Sequence, residues 1–359
     1  MAQLIENTKA RLQAFVRLYH TETLREKGLF WTTGLLLLTL AVVLYFVGVY
    51  WSQEPDLLNP HEVALAAANN NPDAIVPGYT TTATLVKVAD TLLTKPGGYL
   101  SNDKIPPASF FGMFQMLDNI PNWEFGVLIM VRDTARVLRN DFSRSQSQSV
   151  ENPHLAEAEP RFNFANNSWL FPPTENQYRE GIAQLRLYLN NLASQAEPNT
   201  QFYTRADNLN ELLAVISKRL GDLSQRLNAS VEEIRINTDL AGDTAAQQST
   251  QTSKLIIAKT PWLKVDDVFY ESRGYVWALV AILRAVEIDF KGVLQKKNAI
   301  ASLQQVVRLL EQTQRSPSSP MVLNGDPMGW LANYSKSMVS YISPANSAII
   351  DLRTLLSQG

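Results

Sequence analysis

The run "LFWTTGLLLLTLAVVLYFVGVYW", Leu29 to Trp51, holds 23 residues and no charge. At about 1.5 Å per residue a helix of this length measures roughly 34 Å, enough to cross a bilayer core with slight tilt. Trp31, Tyr50 and Trp51 lie near its ends, where aromatic rings favour the membrane interface. A cleaved signal peptide has a shorter apolar region, about 7–15 residues, followed by a small-residue site. "GVYWSQEP" offers no such site, so the run reads as an uncleaved transmembrane anchor. Lys9, Arg11, Arg17, Arg25 and Lys27 precede it, whereas "SQEPDLLNPHE" after it has neither Lys nor Arg. The positive-inside rule then places the N-terminus in the cytoplasm and the rest outside, which in a bacterium is the periplasm. Gly34, Ala41 and Gly48 recur every seven residues on one face. Such a stripe lets membrane helices approach closely, although glycine is frequent in membrane helices anyway.

The rest of the chain bounds the chemistry. Among 359 residues there is no cysteine, which removes disulfides, thiolate catalysis and Cys-ligated zinc. The net charge is −2, without the clustered cations that a nucleic-acid surface needs. The three histidines, His20, His61 and His154, are far apart and form no metal-binding spacing. No nucleophile elbow, phosphate loop or dinucleotide fingerprint occurs. No catalytic, cofactor-binding or metal residue is assigned, and no cofactor is expected.

Residues 1–28 form the cytoplasmic segment, in which 3–25 has an amphipathic pattern. It suits either the inner leaflet or a solvated extension of the span. Residues 52–80 are rich in Asn, Pro and Gly and read as a linker. Residues 81–359 form the periplasmic domain. A helix fits Ala83–Thr94, stopped by "KPGGY". A long loop is expected over 143–173, with Phe162, Phe164, Trp169 and Phe171 packing it down. Thr174 and Gln177 suggest a capping box that opens a helix with Tyr178, Ile182, Leu185, Leu189 and Leu192 on one stripe. A second stripe runs from Leu209 to Leu227, so 174–227 reads as an antiparallel helical hairpin. Ser230 and Glu233 form another capping-box pattern, and 238–253 is polar and expected to be mobile. Asn298 is placed to cap a helix from Ile300, and "SAIIDLRTLL" closes the chain as a short helix. Apolar alternation at period two is nowhere sustained, so no sheet is expected. The fold class is mostly α: one transmembrane helix followed by a periplasmic helical bundle with long loops.

"RGYVWALVAILRAVEIDF", residues 273–290, tests that topology. Tyr275 to Leu283 is nine apolar residues, about half of what a second span needs. Arg273 on one side and Arg284, Glu287 and Asp289 on the other are costly in a bilayer. The segment therefore reads as the most buried helix of the outer domain, with Arg284 neutralised by a carboxylate. "WEFGVLIMVRDTARVLRNDF" shares its aromatic start, apolar run and arginine, but the flanking residues do not repeat. The shared pattern is read as the common one of apolar helices ending in charge. Asp266 and Asp267 with Arg284, Glu287 and Asp289 form the candidate acidic and ion-pair cluster. Paired carboxylates can do acid–base work, but Asp at a helix start is also favoured by capping and the dipole.

The stretches "TTATLVKVADTLLTKPGGYLSND", "NIPNWEFGVLIMVRD", "ADNLNELLAVISKRLGDLSQRL" and "TPWLKVDDVFYESRGYVWALVAILRAVEIDF" resemble a family of bacterial proteins of unknown function. The resemblance extends through "MVLNGDPMGWLANYSKSMVSYISPANSAIIDLR" and covers nearly the whole chain. It implies a single-pass inner-membrane protein of Gram-negative, mainly gammaproteobacterial, cells. It implies no activity, so no functional residue carries over. The reading is of a membrane-anchored interaction or scaffold protein, its partners the lipid bilayer and a protein or second copy, with no nucleic acid. The alternative is an envelope enzyme or ligand-binding domain acting on peptidoglycan or lipid through the acidic cluster.

Overall fold

The computed structural model describes residues 28–51, 53–102, 119–145, 150–195, 197, 200–231, 233–236, 255–319, 321–326 and 329–358, with Glu6, Lys9, Gln13 and Tyr19. The amphipathic pattern expected over 3–25 and the mobile loop expected over 238–253 lie outside or almost wholly outside the described residues. Two units divide the chain, Met1–Gln53 and Glu54–Gly359. The first contains α1, Leu29–Trp51, with a mean hydropathy of 2.2 in its most apolar window. It is the one described helix long and apolar enough to cross a membrane. Gly34 and Ala41 lie open on it, whereas Gly48 is buried.

The second unit is built from helices α2 (Pro60–Ala67), α3 (Tyr79–Thr94), α4 (Asn119–Val137), α5 (Pro153–Phe162), α6 (Thr174–Ser194) and α7 (Ala206–Asn228). After them come α8 (Val265–Asp289), α9 (Lys291–Lys296), α10 (Ile300–Gln312) and α11 (Tyr334–Ser357). A π-helical turn, Leu138–Phe142, extends α4. The mostly helical expectation holds. One element departs from it: β1 (Glu233–Ile236) and β2 (Leu255–Ala258) pair as an antiparallel two-stranded ribbon. Four residues per strand are too few to show a period. Their β-branched isoleucines nevertheless suit a strand, and Glu233 begins it instead of closing a capping box with Ser230.

α8 is the centre. From Tyr275 to Leu283 no residue is more than 1 % exposed, because α2, α3, α4, α7, α10 and α11 all pack on this helix. Its most extensive partner is α4, the helix of similar pattern. The two backbones meet at reciprocal glycines. A Cβ on Gly126 would lie 2.0 Å from the Glu271 carbonyl oxygen, and one on Gly274 would lie 1.9 Å from that of Trp123. Only residues without a side chain permit that approach. Trp123 and Trp277 close the crossing with ring centroids 5.1 Å apart, both buried.

The predicted hairpin is corrected by the pairing. Both stripes form helices, but α6 packs on α5 and α3, while α7 packs on α11. The α7–α11 pair is antiparallel: Lys336 reaches Asn228 at 2.9 Å, Ser343 meets Ser224 at 2.8 Å, and Arg353 reaches Asn210 at 3.0 Å. A heptad stripe shows that a helix needs a partner without naming which. The closing helix is also longer than expected, 24 residues with Pro344 inside. Its buried Met338, Ile342, Ala345, Ile349, Leu352 and Leu356 repeat at spacings of four and three, which matches the stripe on α7.

Three loop expectations change. Residues 143–173 are not one loop, since α5 lies within them, capped by the Asn152 side chain on the N–H groups of His154 and Leu155. Phe162 is buried and Phe164 packs on the core, but Trp169 and Phe171 are exposed. The Thr174 hydroxyl does not cap α6. It donates to the Ala165 carbonyl at 2.8 Å and accepts from the Ser168 N–H at 3.1 Å, tying down the preceding loop. Asn298 takes a left-handed φ of 51° one residue before the cap position instead of capping α10.

Candidate functional site

The linker expected over 52–80 is part of the helical unit from Glu54 onward, and the side chains responsible lie on α8. Arg273, Trp277 and Arg284 are spaced four and seven residues apart, so they share one helix face. Arg273 donates to the Glu54 carboxylate at 2.6 Å, Trp277 Nε1 to the Asp56 carbonyl at 3.1 Å, and Arg284 to the Leu58 carbonyl at 3.3 Å. Residues 54–58 thus form an extended strap along α8. Its reach of roughly 13 Å approaches the helix rise from 273 to 284, about 16 Å.

Arg273 is the hub. It is 3 % exposed, and its guanidinium also donates to the carbonyls of Thr313 at 2.9 Å, Arg315 at 2.8 Å and Gln314 at 3.3 Å. These carbonyls follow the end of α10, where helical carbonyls run out of partners. The Phe269 ring lies 5.8 Å from the guanidinium carbon. A planar fork of five donors is needed to hold one carboxylate and three carbonyls together. The sequence signal for Arg273 was a charge bounding an apolar run, which read as a limit on span length and not as a structural hub.

The sequence-predicted acidic cluster is not brought together. Asp266 and Asp267 start α8, whereas Glu287 and Asp289 end it, about 30 Å away along the axis. Arg284 is neutralised by a carboxylate, as expected, but by Glu311 of α10 at 2.7 Å. Glu287 accepts from Gln304 at 2.6 Å. Asp289 accepts the Thr81 N–H at 2.7 Å and so caps α3, whose own N-cap residue, Gly78, has no side chain to do so. Burial pushes the Asp289 carboxyl up, against the backbone N–H groups that hold it down. Asp267 accepts from Asn122 of α4 at 2.7 Å. Burial and the neighbouring Asp266 push its carboxyl up, and burial does the same for Asp266.

Two ion pairs, one of them buried, add to this frame. Lys95 and Glu124 meet at 2.6 Å with both side chains fully enclosed. Glu124 also accepts the N–H groups of Leu100 and Ser101, at 2.9 and 2.8 Å, fixing the loop after α3 to the start of α4. Burial raises its carboxyl, while Lys95, Ser101 and Leu100 counter. Glu271 of α8 takes Arg226 of α7 at 2.5 Å. These pairs join elements.

Among the described residues, two clefts stand open to ligands or partners. The first, about 480 Å³, lies between α2, α3 and α6. Val63, Ala66, Ala83, Val86 and Leu189 form its apolar floor, and Glu62, Lys87, Asp90 and Arg186 its charged rim. The second, about 320 Å³, lies at the start of α8, lined by Trp262, Leu263, Asp266, Met321 and Leu331. Among the described residues no group of three His, Asp or Glu is placed to hold a metal ion. The sequence profile of an uncharacterised protein family conserved in bacteria, DUF2333, matches residues 24–359. No curated protein and no solved structure matches the chain.

Proposed function

On the footing that the chain belongs to this bacterial family, we propose that it is a membrane-anchored interaction protein of the cell envelope. α1 is its single span, the N-terminal segment is cytoplasmic and the helical unit is periplasmic in the inner membrane. The flanking lysines and arginines support that orientation. The observation that carries the interaction role is the groove between α2, α3 and α6. An apolar floor framed by charges of both signs suits an amphipathic helix, laid in by its apolar face, from another envelope protein or a second copy. Ala66 is exposed on that floor, so Ala66→Arg blocks the groove without disturbing the core. The test is co-purification from detergent-solubilised membranes with native mass measurement. The expected result is a partner or oligomer on the wild-type chain that Ala66→Arg loses at an unchanged melting temperature. A wild-type chain that is monomeric and alone in every growth state overturns the proposal, as does a partner indifferent to Ala66→Arg.

One observation favours the second reading, an envelope enzyme or ligand-binding domain. Asp266, with its raised carboxyl, borders an apolar cleft. The wide separation of Glu287 and Asp289 from it weighs against paired-carboxylate chemistry. Asp266→Asn separates the readings, since an enzyme loses function in a complementation assay while the melt is unchanged.

A further inference from the structure

We infer that the aromatic surface at the start of α8 rests on the lipid bilayer that holds α1. The inference rests on the reading of α1 as a membrane anchor. In this surface Trp262 is 72 % exposed, and Trp330 is exposed completely. Leu263, Met321 and Leu331 are each more than half exposed and line the same cleft as Trp262. Contiguous apolar surface of this kind marks a contact, and tryptophan with leucine and methionine is the composition of an interfacial one.

Chain connectivity selects the membrane as occupant. Ser52 and Gln53 alone separate Trp51, the last residue of α1, from Glu54, a reach of about 11 Å at most. Glu54 is clamped to Arg273. From Arg273 the start of α8 is about 12 Å along the helix, and Trp262 and Leu263 precede it directly. Arg273 also binds the carbonyls of Thr313, Gln314 and Arg315, where the segment bearing Met321, Trp330 and Leu331 begins. One guanidinium therefore ties the end of the membrane tether to both segments that carry the aromatic surface. Charge agrees. Lys264, directly after Leu263, and Arg315, at the start of the segment that bears Met321, are both exposed, and cations there favour anionic headgroups.

The cysteine-free chain allows a direct test. Trp330→Cys, Leu40→Cys in α1 and Val150→Cys are each spin-labelled in the full chain. Val150 is 78 % exposed and precedes Glu151, which binds Arg139 beyond the far end of α4. Labelled chains are placed in nanodiscs of phosphatidylethanolamine and phosphatidylglycerol, and collision rates with oxygen and with a polar nickel chelate are measured. The expected ratio of oxygen to chelate accessibility is several-fold higher at 330 than at 150, approaching that at 40. A lipid-like ratio at 40 with a water-like ratio at 330 overturns the surface contact and leaves the anchor standing. A water-like ratio at 40 overturns both. A label at 330 shielded from both reagents shows a protein seated there instead, and also overturns the inference.

Discussion

Gly274→Ala should destabilise this protein, against the usual direction of such a change. Inside a helix, alanine is favoured over glycine by about 1 kcal/mol. At 274 the added Cβ would lie 1.9 Å from the Trp123 carbonyl oxygen, and real Cβ contacts essentially never fall below 3.0 Å. The obstacle is backbone, so α4 and α8 must part by about 1.1 Å. A gap of 0.5–1 Å forfeits roughly a quarter to a half of each contact, and each contact contributes about 0.1–0.2 kcal/mol. Over on the order of 50 atom contacts at the crossing this comes to ~1–5 kcal/mol, in line with the ~1–3 kcal/mol typical of overpacking. A net loss of about 2–3 kcal/mol is expected, which lowers the melting temperature by roughly 3–5 °C in a domain this large. Gly292→Ala is the control, because nothing lies within 4 Å of its Cβ; it should stabilise by about 0.5–1 kcal/mol. Thermal melts of the full chain in mild detergent, followed by helical circular dichroism, compare the two. Gly274→Ala melting at or above the wild type would refute the close-crossing argument.

Other expectations follow from the ion pairs and caps. Arg273→Met leaves Glu54 and three carbonyls without their donor, and should cost about 3–5 kcal/mol in urea unfolding; a midpoint shift no larger than that of an exposed-arginine control such as Arg179→Met would show that the hub carries no weight. Asp289→Ala removes the acceptor for the Thr81 N–H, at about 1–3 kcal/mol, and hydrogen exchange at Thr81 should quicken ahead of the α3 interior. Stability should rise on mild acidification. Glu124, Asp141, Asp266, Asp267 and Asp289 all have raised carboxyls, so each is harder to ionise folded than unfolded. Each therefore costs stability as the pH rises above the ordinary value near 4 through its raised one. Asp207, held low, acts only below that window. A melting temperature that falls steadily from pH 7.5 to 5 would contradict the burial of these groups, and Asp266→Asn should flatten the rise.

What the sequence made legible was local and periodic. The charge-free count from Leu29 to Trp51 identified α1, and the nine apolar residues from Tyr275 to Leu283 identified the most buried turns of α8. Leu209 to Leu227 announced a helix with one buried face. Partner choice was not legible, because the stripe on α7 is satisfied by α11, more than 100 residues later, instead of by the adjacent α6. On α11 the matching stripe is diluted by serines and crossed by Pro344, which together hid it. The strap was invisible for a related reason. Glu54, Asp56 and Leu58 have no period of their own, and their order comes from three side chains on a helix more than 200 residues away.

The candidate cluster shows how composition misleads about sites. Asp266, Asp267, Glu287 and Asp289 are close in sequence, but a straight 25-residue helix carries the two pairs to opposite ends. A helix buried over most of its circumference has few places for charge, so its charges gather at the termini, where other elements begin and end. There they serve those elements: Asp289 caps α3 and Asp267 holds the start of α4, while Arg273, two turns into α8, takes the carbonyls that follow α10. Arg284 and Glu271 do the same through Glu311 and Arg226. The charges that delimit the apolar run are thus what fixes the other helices around α8. Only Asp266 is left facing a cleft, the one at the start of α8 that Trp262, Leu263, Met321 and Leu331 also line. If α8 serves any ligand, that end of the helix is where to look.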